Sequence, residues 1–201
     1  MLGNILYAQI TIRGLRPLLW HAFGPEALPL ERQERRGVPG NDPDEWRKTV
    51  LMTEERQLYM RPSYLFASLR DGARYTRKNR GTLQPYVAAT LQMRDERILI
   101  DRYVPPEPIP TDPQAPVYLD IQSVKNPTTK ARNVRYRIAA AAAWTAQFRV
   151  LWDRTILSRE QFEAIAHDAG RLIGIGDGRT MGYGRFVVTA FEVHEALPAE
   201  Q

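Results

Sequence analysis

The segment from residue 144 to 193 constrains the fold most, because the spacing of its apolar residues changes from two to about 3.6 residues and back. Its first part alternates apolar with polar residues, which predicts a strand with one buried face: Trp144, Ala146, Phe148 and Val150. From Ser158 to Ile173 apolar residues recur at helical spacing, and Ser158 with Gln161 has the pattern of a capping box. Phe186 to Val193 is again typical of a strand. This order predicts a sheet with a helix packed on it.

The N-terminal third has the same order with less regular spacing. Ile5 to Ile12 is a β-branched and aromatic run, ended by Gly14, and it predicts a buried or half-buried strand. Prolines and glycines then interrupt every pattern, so residues 15–60 predict an irregular excursion with one helical turn near residues 44–50. A second helix is predicted from Pro62, because proline is tolerated in a first turn and an apolar stripe follows at helical spacing: Leu65, Leu69 and Ala73.

Three further segments lie between the two helices. Leu83 to Met93 and Arg97 to Val104 are typical of strands, and residues 94–96 predict a hairpin turn between them. Prolines keep residues 105–116 extended, which indicates a semi-rigid surface connection. Residues 117–138 predict a long hairpin, whose tip is basic and polar.

We therefore predict one α+β domain over residues 1–201. Without its insertions the order of elements is β-α-β-β-α-β, a ferredoxin-like or RRM-like core. The insertions are the irregular excursion (15–60), the proline-rich connection (105–116) and the basic β-hairpin insertion (117–138). Both helices of such a core cover one face of an antiparallel sheet, which leaves the other face free for a ligand.

Composition excludes several classes of protein. With 43% hydrophobic and 25% charged residues the chain is typical of a soluble, folded protein rather than a disordered one. The absence of cysteine excludes disulfide bonds, thiolate catalysis and cysteine-ligated metal, and three histidines offer few other ligands, so we expect no metal and no cofactor. The longest small apolar run is too short to cross a bilayer and no basic leader precedes an apolar segment, so we expect no membrane partner and a cytoplasmic location.

The net charge of +5 is concentrated in two segments. Residues 61–80 hold six basic side chains against Asp71 alone, and residues 122–137 hold five basic side chains and no acidic one, so the rest of the chain is net negative. Such a distribution favours a polyanion as partner, although a solvated surface of ion pairs explains it equally well. The candidate phosphate contacts are Arg70, Arg74, Arg77 and Lys78 in the first segment, and Lys125, Lys130, Arg132, Arg135 and Arg137 in the second.

The segment 174–186 is glycine-rich, with five glycines in the eleven positions from 174 to 184. They do not form a dinucleotide-binding fingerprint, because Arg179 stands where the third glycine belongs and the segment follows a helix instead of opening one. Glycines here allow positive φ angles and the close approach of another chain or of a phosphate backbone. The alternative is a tight connection from helix to strand that packs against the first helix.

The element order, the glycine-rich segment and the Pro62-Ser-Tyr-Leu-Phe-Ala-Ser-Leu-Arg70 segment together resemble the RAMP superfamily, the RNA-binding proteins of CRISPR effector complexes. The resemblance covers about a third of the chain. It implies that Arg70 and Arg74 contact the RNA backbone, that Gly176, Gly178 and Arg179 form a loop contact, and that residues 123–137 form a thumb inserted between nucleotides. The chain is short for a backbone subunit of that family, and its excursion and proline tract have no counterpart there. These departures also fit a relative carried by a phage or mobile element.

The leading hypothesis is a non-enzymatic protein that grips single-stranded RNA or DNA through its phosphates, as a repeating subunit of a homo-oligomer or a multisubunit ribonucleoprotein. One alternative is a metal-independent endoribonuclease with His21 as its general acid or base. The apolar neighbours of His21 favour a structural histidine instead: Leu19, Trp20 and Phe23. The other alternative is an assembly protein whose basic hairpin docks on an acidic protein surface.

Overall fold

The computed structural model describes residues 3–22, 42–78, 81–125, 130 and 132–194, with the side chains of residues 77 and 78 excepted. Its long strands are β1 (Ile5–Gly14), β7 (Ile98–Tyr103), β8 (Val117–Lys125), β9 (Arg132–Ala140), β10 (Thr145–Asp153) and β11 (Phe186–His194). Shorter strands are β2 (Leu18–Leu19), β3 (Gln57–Met60), β4 (Arg77–Lys78), β5 (Gly81–Thr82) and β6 (Gln92–Met93). The helices are α1 (Glu45–Thr49), α2 (Pro62–Gly72), α3 (Gln84–Thr90) and α4 (Arg159–Asp168).

The central sheet has the strand order β11-β1-β10-β7-β3, and each neighbouring pair is antiparallel. Helices α2 and α4 contact each other and share one apolar core with β1 and β10. Alternate residues of β1 enter this core, because Ala8, Ile10 and Ile12 are fully buried whereas Arg13 is exposed. With β1, α2, β7, β10, α4 and β11 as its six elements, the predicted ferredoxin-like α+β fold is confirmed.

The predicted helix over residues 158–173 begins as expected. The Ser158 side chain accepts a hydrogen bond from the Gln161 backbone, and the Gln161 side chain accepts one from the Ser158 backbone, which completes the capping box. The α-helix ends at Asp168, and a π-helical turn, Ala169–Ile173, continues it. The strand predicted from Phe186 is confirmed as β11.

The prediction of a strand over residues 83–93 is wrong. Most of this segment is α3, because Leu83, Val87 and Leu91 recur at the spacing of successive helical turns and are all buried. Pro85 lies in the first turn of α3, where its missing N–H costs no hydrogen bond.

The predicted hairpin turn at residues 94–96 is also wrong. Strands β6 and β7 both pair with β10, Met93 opposite Val150 and Ile100 opposite Ala146, so they run in the same direction along one edge. Between these strands, the Asp95 carboxylate accepts hydrogen bonds from the backbone and side chain of Arg149.

The excursion at 15–60 contains more regular structure than its composition predicts. The helical turn expected near residues 44–50 is confirmed as α1, while β2 and β3 also lie inside the excursion. Residues 23–41, which include Phe23, lie outside the described residues. Within the described ranges, no helix has both the length and the apolarity needed to span a bilayer.

The long hairpin predicted over residues 117–138 is confirmed as β8 and β9. Its register places Asp120 opposite Arg137 and Lys125 opposite Arg132, and β2 pairs with the base of β9 to form a second sheet, β2-β9-β8. Residues 126–129 and 131 of the tip lie outside the described residues.

Candidate nucleic-acid interface

The glycine-rich loop connects α4 to β11 and packs on the segment around β2. Gly176 has a φ of 75°, and a Cβ atom there would lie 2.7 Å from the carbonyl oxygen of Leu19. The backbone N–H of Asp177 donates to the Leu19 carbonyl at 3.0 Å, and that of Gly184 donates to the Pro17 carbonyl at 2.8 Å. Packing inside the chain therefore accounts for the glycine at position 176, and the surface that Gly176 itself packs on is β2.

Three of the predicted arginines meet around Asp71, and we call Arg70, Arg74 and Arg179 the arginine cluster. Their guanidinium nitrogens lie 3.0, 3.5 and 3.9 Å from the carboxylate oxygens of Asp71. The three side chains are 40, 58 and 36% exposed, whereas the carboxylate is only 16% exposed. Three positive charges thus share one negative charge, which leaves N–H donors directed to solvent.

The i, i+4 and i+7 spacing of Arg70, Arg74 and Arg77 predicts that all three lie on one side of a single helix, but the structure differs. Helix α2 ends at Gly72, so Arg74 lies in the turn after it, and its Nε atom donates to the Gln84 side chain at 3.3 Å. Arg77 and Lys78 lie in β4, which pairs with β5. The prediction that these three arginines share one side of the helix is therefore wrong, because the helix ends before Arg74.

A cavity of about 190 Å³, which we call the His21 cavity, adjoins the cluster. Helix α2 and the glycine-rich loop form its walls together with His21. The lining residues are Tyr64 and Ala67 from α2, Gly176, Asp177 and Arg179 from the loop, and His21. Arg179 belongs both to this cavity and to the arginine cluster. Burial raises the pKa of the Tyr64 hydroxyl and the nearby Arg61 opposes this effect, so Tyr64 is a neutral donor at pH 7.

His21 is oriented by a carboxylate that the sequence did not single out. Its Nε2 atom lies 3.2 Å from Oε1 of Glu45 in α1. Glu45 also forms an ion pair with Arg135 and accepts a hydrogen bond from the backbone N–H of Tyr136 at 3.1 Å. Glu45 therefore connects α1, the predicted histidine and strand β9.

Arg137 lies inside the molecule. Its side chain is 3% exposed, with Nη1 2.8 Å from Asp177 and Nη2 2.7 Å from Asp120. Burial disfavours its charge, but the hydrogen bonds with Asp177 and Asp120 outweigh burial and raise the pKa of Arg137 above its ordinary value. Arg137 thus connects the hairpin base to the glycine-rich loop, and its role as a phosphate contact stays a prediction.

The remaining cations of the hairpin lie farther out. Lys125, Lys130 and Arg132 are all exposed, and the first and last of them are opposite each other in the hairpin register. Arg135 is about one-third exposed and shares Glu45 with His21. Apart from Arg77 and Lys78 in β4, the predicted basic contacts therefore fall into the arginine cluster, an outer hairpin group and the inward-facing Arg137.

Sequence reasoning missed two acidic residues that organise these contacts. Asp71 could have been identified from the sequence, because it is the one acidic residue among six basic residues in segment 61–80. Glu45 could not have been identified in this way, since no local sequence pattern relates α1 to the hairpin. In the ranges that the structure describes, no group of three or more histidine, cysteine, aspartate or glutamate side chains is placed to hold a metal ion.

No protein-family model matches this sequence, and no curated protein matches it significantly. A solved chain in the cryo-EM structure of the Type III-B Cmr-beta bound to cognate target RNA has a similar structure, with a TM-score of 0.45 and 13% sequence identity. The match covers 96% of this chain and 62% of that chain. This chain therefore spans less than two thirds of the length of the solved chain to which it is similar.

Proposed function

We propose that this chain binds single-stranded RNA, or DNA, through the phosphate backbone, and that it acts as a RAMP-like subunit of a ribonucleoprotein assembly. The observation that carries the proposal is the arginine cluster, because Arg179 from the loop joins Arg70 and Arg74 from the α2 region around one carboxylate. Guanidinium groups match phosphate oxygens in paired hydrogen bonds, and a partly neutralised cluster keeps its geometry before the ligand arrives.

The surroundings of the cluster support a strand rather than an isolated phosphate. Tyr64 and His21 line the adjoining cavity, and the exposed hairpin cations Lys125, Lys130 and Arg132 supply a second basic surface on the same chain. Two basic surfaces favour an extended polyanion, because each can bind a different phosphate.

The test is the salt dependence of binding to a fluorescent 12-nucleotide RNA, measured by anisotropy. Each phosphate contact on a single strand contributes roughly −0.7 to the slope of log affinity against log salt. The double variant Arg70→Ala/Arg74→Ala is expected to bind more weakly, with a slope shallower by about 1.4 than that of the wild type.

The matched control is Arg13→Ala/Arg97→Ala, which removes the same charge. Arg13 is exposed on the sheet face away from the helices, and Arg97 stacks 5.2 Å from the centre of the Tyr59 ring. This control is expected to leave the slope unchanged. An equal loss of affinity and of salt slope in both double variants contradicts the proposal, as does the absence of any binding at low salt.

A second candidate function, metal-independent RNA cleavage, is favoured by the contact of His21 with Glu45 at the wall of a cavity. A carboxylate that orients an imidazole is a common arrangement in general acid–base catalysis. This candidate predicts that the pure protein cleaves a structured RNA, and that His21→Ala abolishes cleavage while binding remains. Absence of cleavage by the wild type removes this candidate.

The assembly-protein alternative is separated by light scattering after size exclusion. It predicts an oligomer with the absorbance ratio of pure protein, whereas RNA binding predicts excess absorbance at 260 nm in freshly purified material.

A further inference from the structure

A larger cavity of about 470 Å³ is lined by strand β8 and by later residues of the glycine-rich loop, and we call it the hairpin cavity. Strand β8 contributes Tyr118, Asp120 and Gln122 to its lining, and the loop contributes Met181 and Tyr183. Arg16 lies at the wall beside them. Among the residues that the structure describes, none of the predicted phosphate contacts lines this cavity, so it is distinct from the arginine cluster and from the His21 cavity.

Hydrogen bonds orient the polar groups of the hairpin cavity. The Gln122 amide nitrogen donates to Oδ1 of Asp120 at 2.8 Å and to the Tyr183 hydroxyl oxygen at 2.6 Å, which uses both of its N–H groups. Because the Tyr183 oxygen accepts this bond, its own O–H remains a donor. The Asp120 carboxylate also accepts from Arg137 at 2.7 Å, and its remaining lone pairs are acceptors.

The cavity thus combines a hydroxyl donor and a carboxylate acceptor with apolar walls. Tyr118 is buried at this site, and burial together with the nearby Asp120 raises the pKa of its hydroxyl, so the ring is neutral. Pro17, Pro113 and Met181 add apolar surface. A flat heterocycle with a donor and an acceptor on one edge fits these walls, and the carboxylate favours an exocyclic amino group as the donor.

We propose that the hairpin cavity binds one unstacked nucleobase, preferably one with an exocyclic amino group, of the strand whose phosphates the arginine cluster holds. This inference rests on the proposed function. The two sites adjoin along the chain, because the single 3₁₀ turn Arg179–Met181 begins at a cluster arginine and ends at a cavity residue. Arg16 supplies a positive charge for the phosphate of the bound nucleotide.

The test uses Met181→Trp, which fills the mouth of the cavity. Met181 is 59% exposed, so a larger side chain there does not disturb the core. The matched control is Ile121→Trp, because Ile121 is 47% exposed on the same strand as Gln122 but does not line the cavity. Thermal melting checks that both variants fold. If Met181→Trp does not fold, Pro113→Trp is used in its place.

Three labelled 12-unit probes separate base binding from phosphate binding: oligocytidylate, oligouridylate and an oligomer of abasic ribose units. We expect the wild type and Ile121→Trp to bind oligocytidylate at least about fivefold more tightly than the abasic oligomer, and more tightly than oligouridylate. Met181→Trp is expected to bind all three within about twofold. Tyr183→Phe, which loses the hydroxyl but keeps the ring, is expected to lose the preference for cytidine over uridine.

The outcomes distinguish this inference from the proposed function. If the wild type binds the abasic and base-containing oligomers equally, or if Met181→Trp keeps the wild-type preference, the base site is overturned while backbone binding stands. If no oligomer binds, the proposed function fails. In that case, calorimetry with cytidine 5′-monophosphate tests base binding in the hairpin cavity by itself. Binding by the wild type that is lost in Met181→Trp supports the base site, and no binding by the wild type overturns it.

Discussion

Gly184 lies against the backbone at the start of the glycine-rich loop. Its φ is 65°, and a Cβ atom built on it would lie 1.8 Å from the carbonyl oxygen of Ile175. Gly182 also has a positive φ, 88°, but nothing lies within 4 Å of its Cβ position. The two glycines therefore separate the effect of backbone strain from that of steric contact.

We expect Gly182→Ala to lower the free energy of unfolding by about 1 kcal/mol, the cost of the left-handed conformation for a residue with a Cβ atom. Gly184→Ala adds a clash with backbone that cannot move aside, so we expect a loss of roughly 3 kcal/mol or more. Urea denaturation at pH 7 measures both values. Equal losses would show that close packing at Ile175 contributes nothing.

Arg137 shows why a basic residue cannot be assigned to the surface from charge alone. Its position among five basic residues predicted a phosphate contact, but the hairpin register places it opposite Asp120 and the loop brings Asp177 to its other side. Asp120 lies in the arm opposite, so a signal was present in the sequence. Asp177 is remote in the chain, and no local pattern relates it to Arg137.

At the scale of elements, α4 was predictable because its signals are local. The capping box of Ser158 and Gln161 satisfies N–H groups that the first turn leaves without partners. Helix α3 has no side-chain cap and is only seven residues long, so it carries few local signals. The residues around it are typical of strands, and they obscured the helical spacing of Leu83, Val87 and Leu91. Packing against α2 and β10 stabilises this short helix.

The cap of α4 yields a stability prediction. Ser158→Ala is expected to lower the free energy of unfolding by about 1 kcal/mol, because it removes the side-chain acceptor for the Gln161 N–H. Ser63→Ala is the control, since Ser63 is an exposed serine in the first turn of α2 but is not its N-cap residue. Alanine at that position is expected to be neutral or slightly stabilising. Urea midpoints of the two variants test the difference, and equal midpoints would contradict the role of the cap.

At the scale of the whole molecule, exposed carboxylates contribute to the pH dependence of stability. Hydrogen bonds from the Thr155 side chain and backbone lower the pKa of Asp153 below its ordinary 3.8, and those from Arg47 lower the pKa of Glu107 below 4.5. The Arg47–Glu107 pair joins α1 to the proline-rich connection. A depressed pKa means that the unfolded chain binds protons more readily than the folded chain.

The stability that these two carboxylates contribute is therefore fully present above about pH 5 and is lost as the pH falls through their folded-state pKa values. We expect the urea midpoint of Asp153→Asn/Glu107→Gln to fall less than that of the wild type between pH 5 and pH 3. Ordinary denaturation curves at several pH values measure this. Parallel falls in both proteins would contradict the assignment.

The sequence by itself determined the local elements: strands β1, β10 and β11, helices α2 and α4, and both arms of the hairpin. Spacing of apolar residues and caps act within a few residues, so they are visible in the order of the chain. Only the tertiary structure decided which charges meet. The sheet order brings the loop of residues 174–186 to α2 and to β9 at once, and this places Arg179 at Asp71 and buries Arg137 between two carboxylates. Such contacts join residues far apart in the chain, and their energies depend on burial, which no local pattern contains.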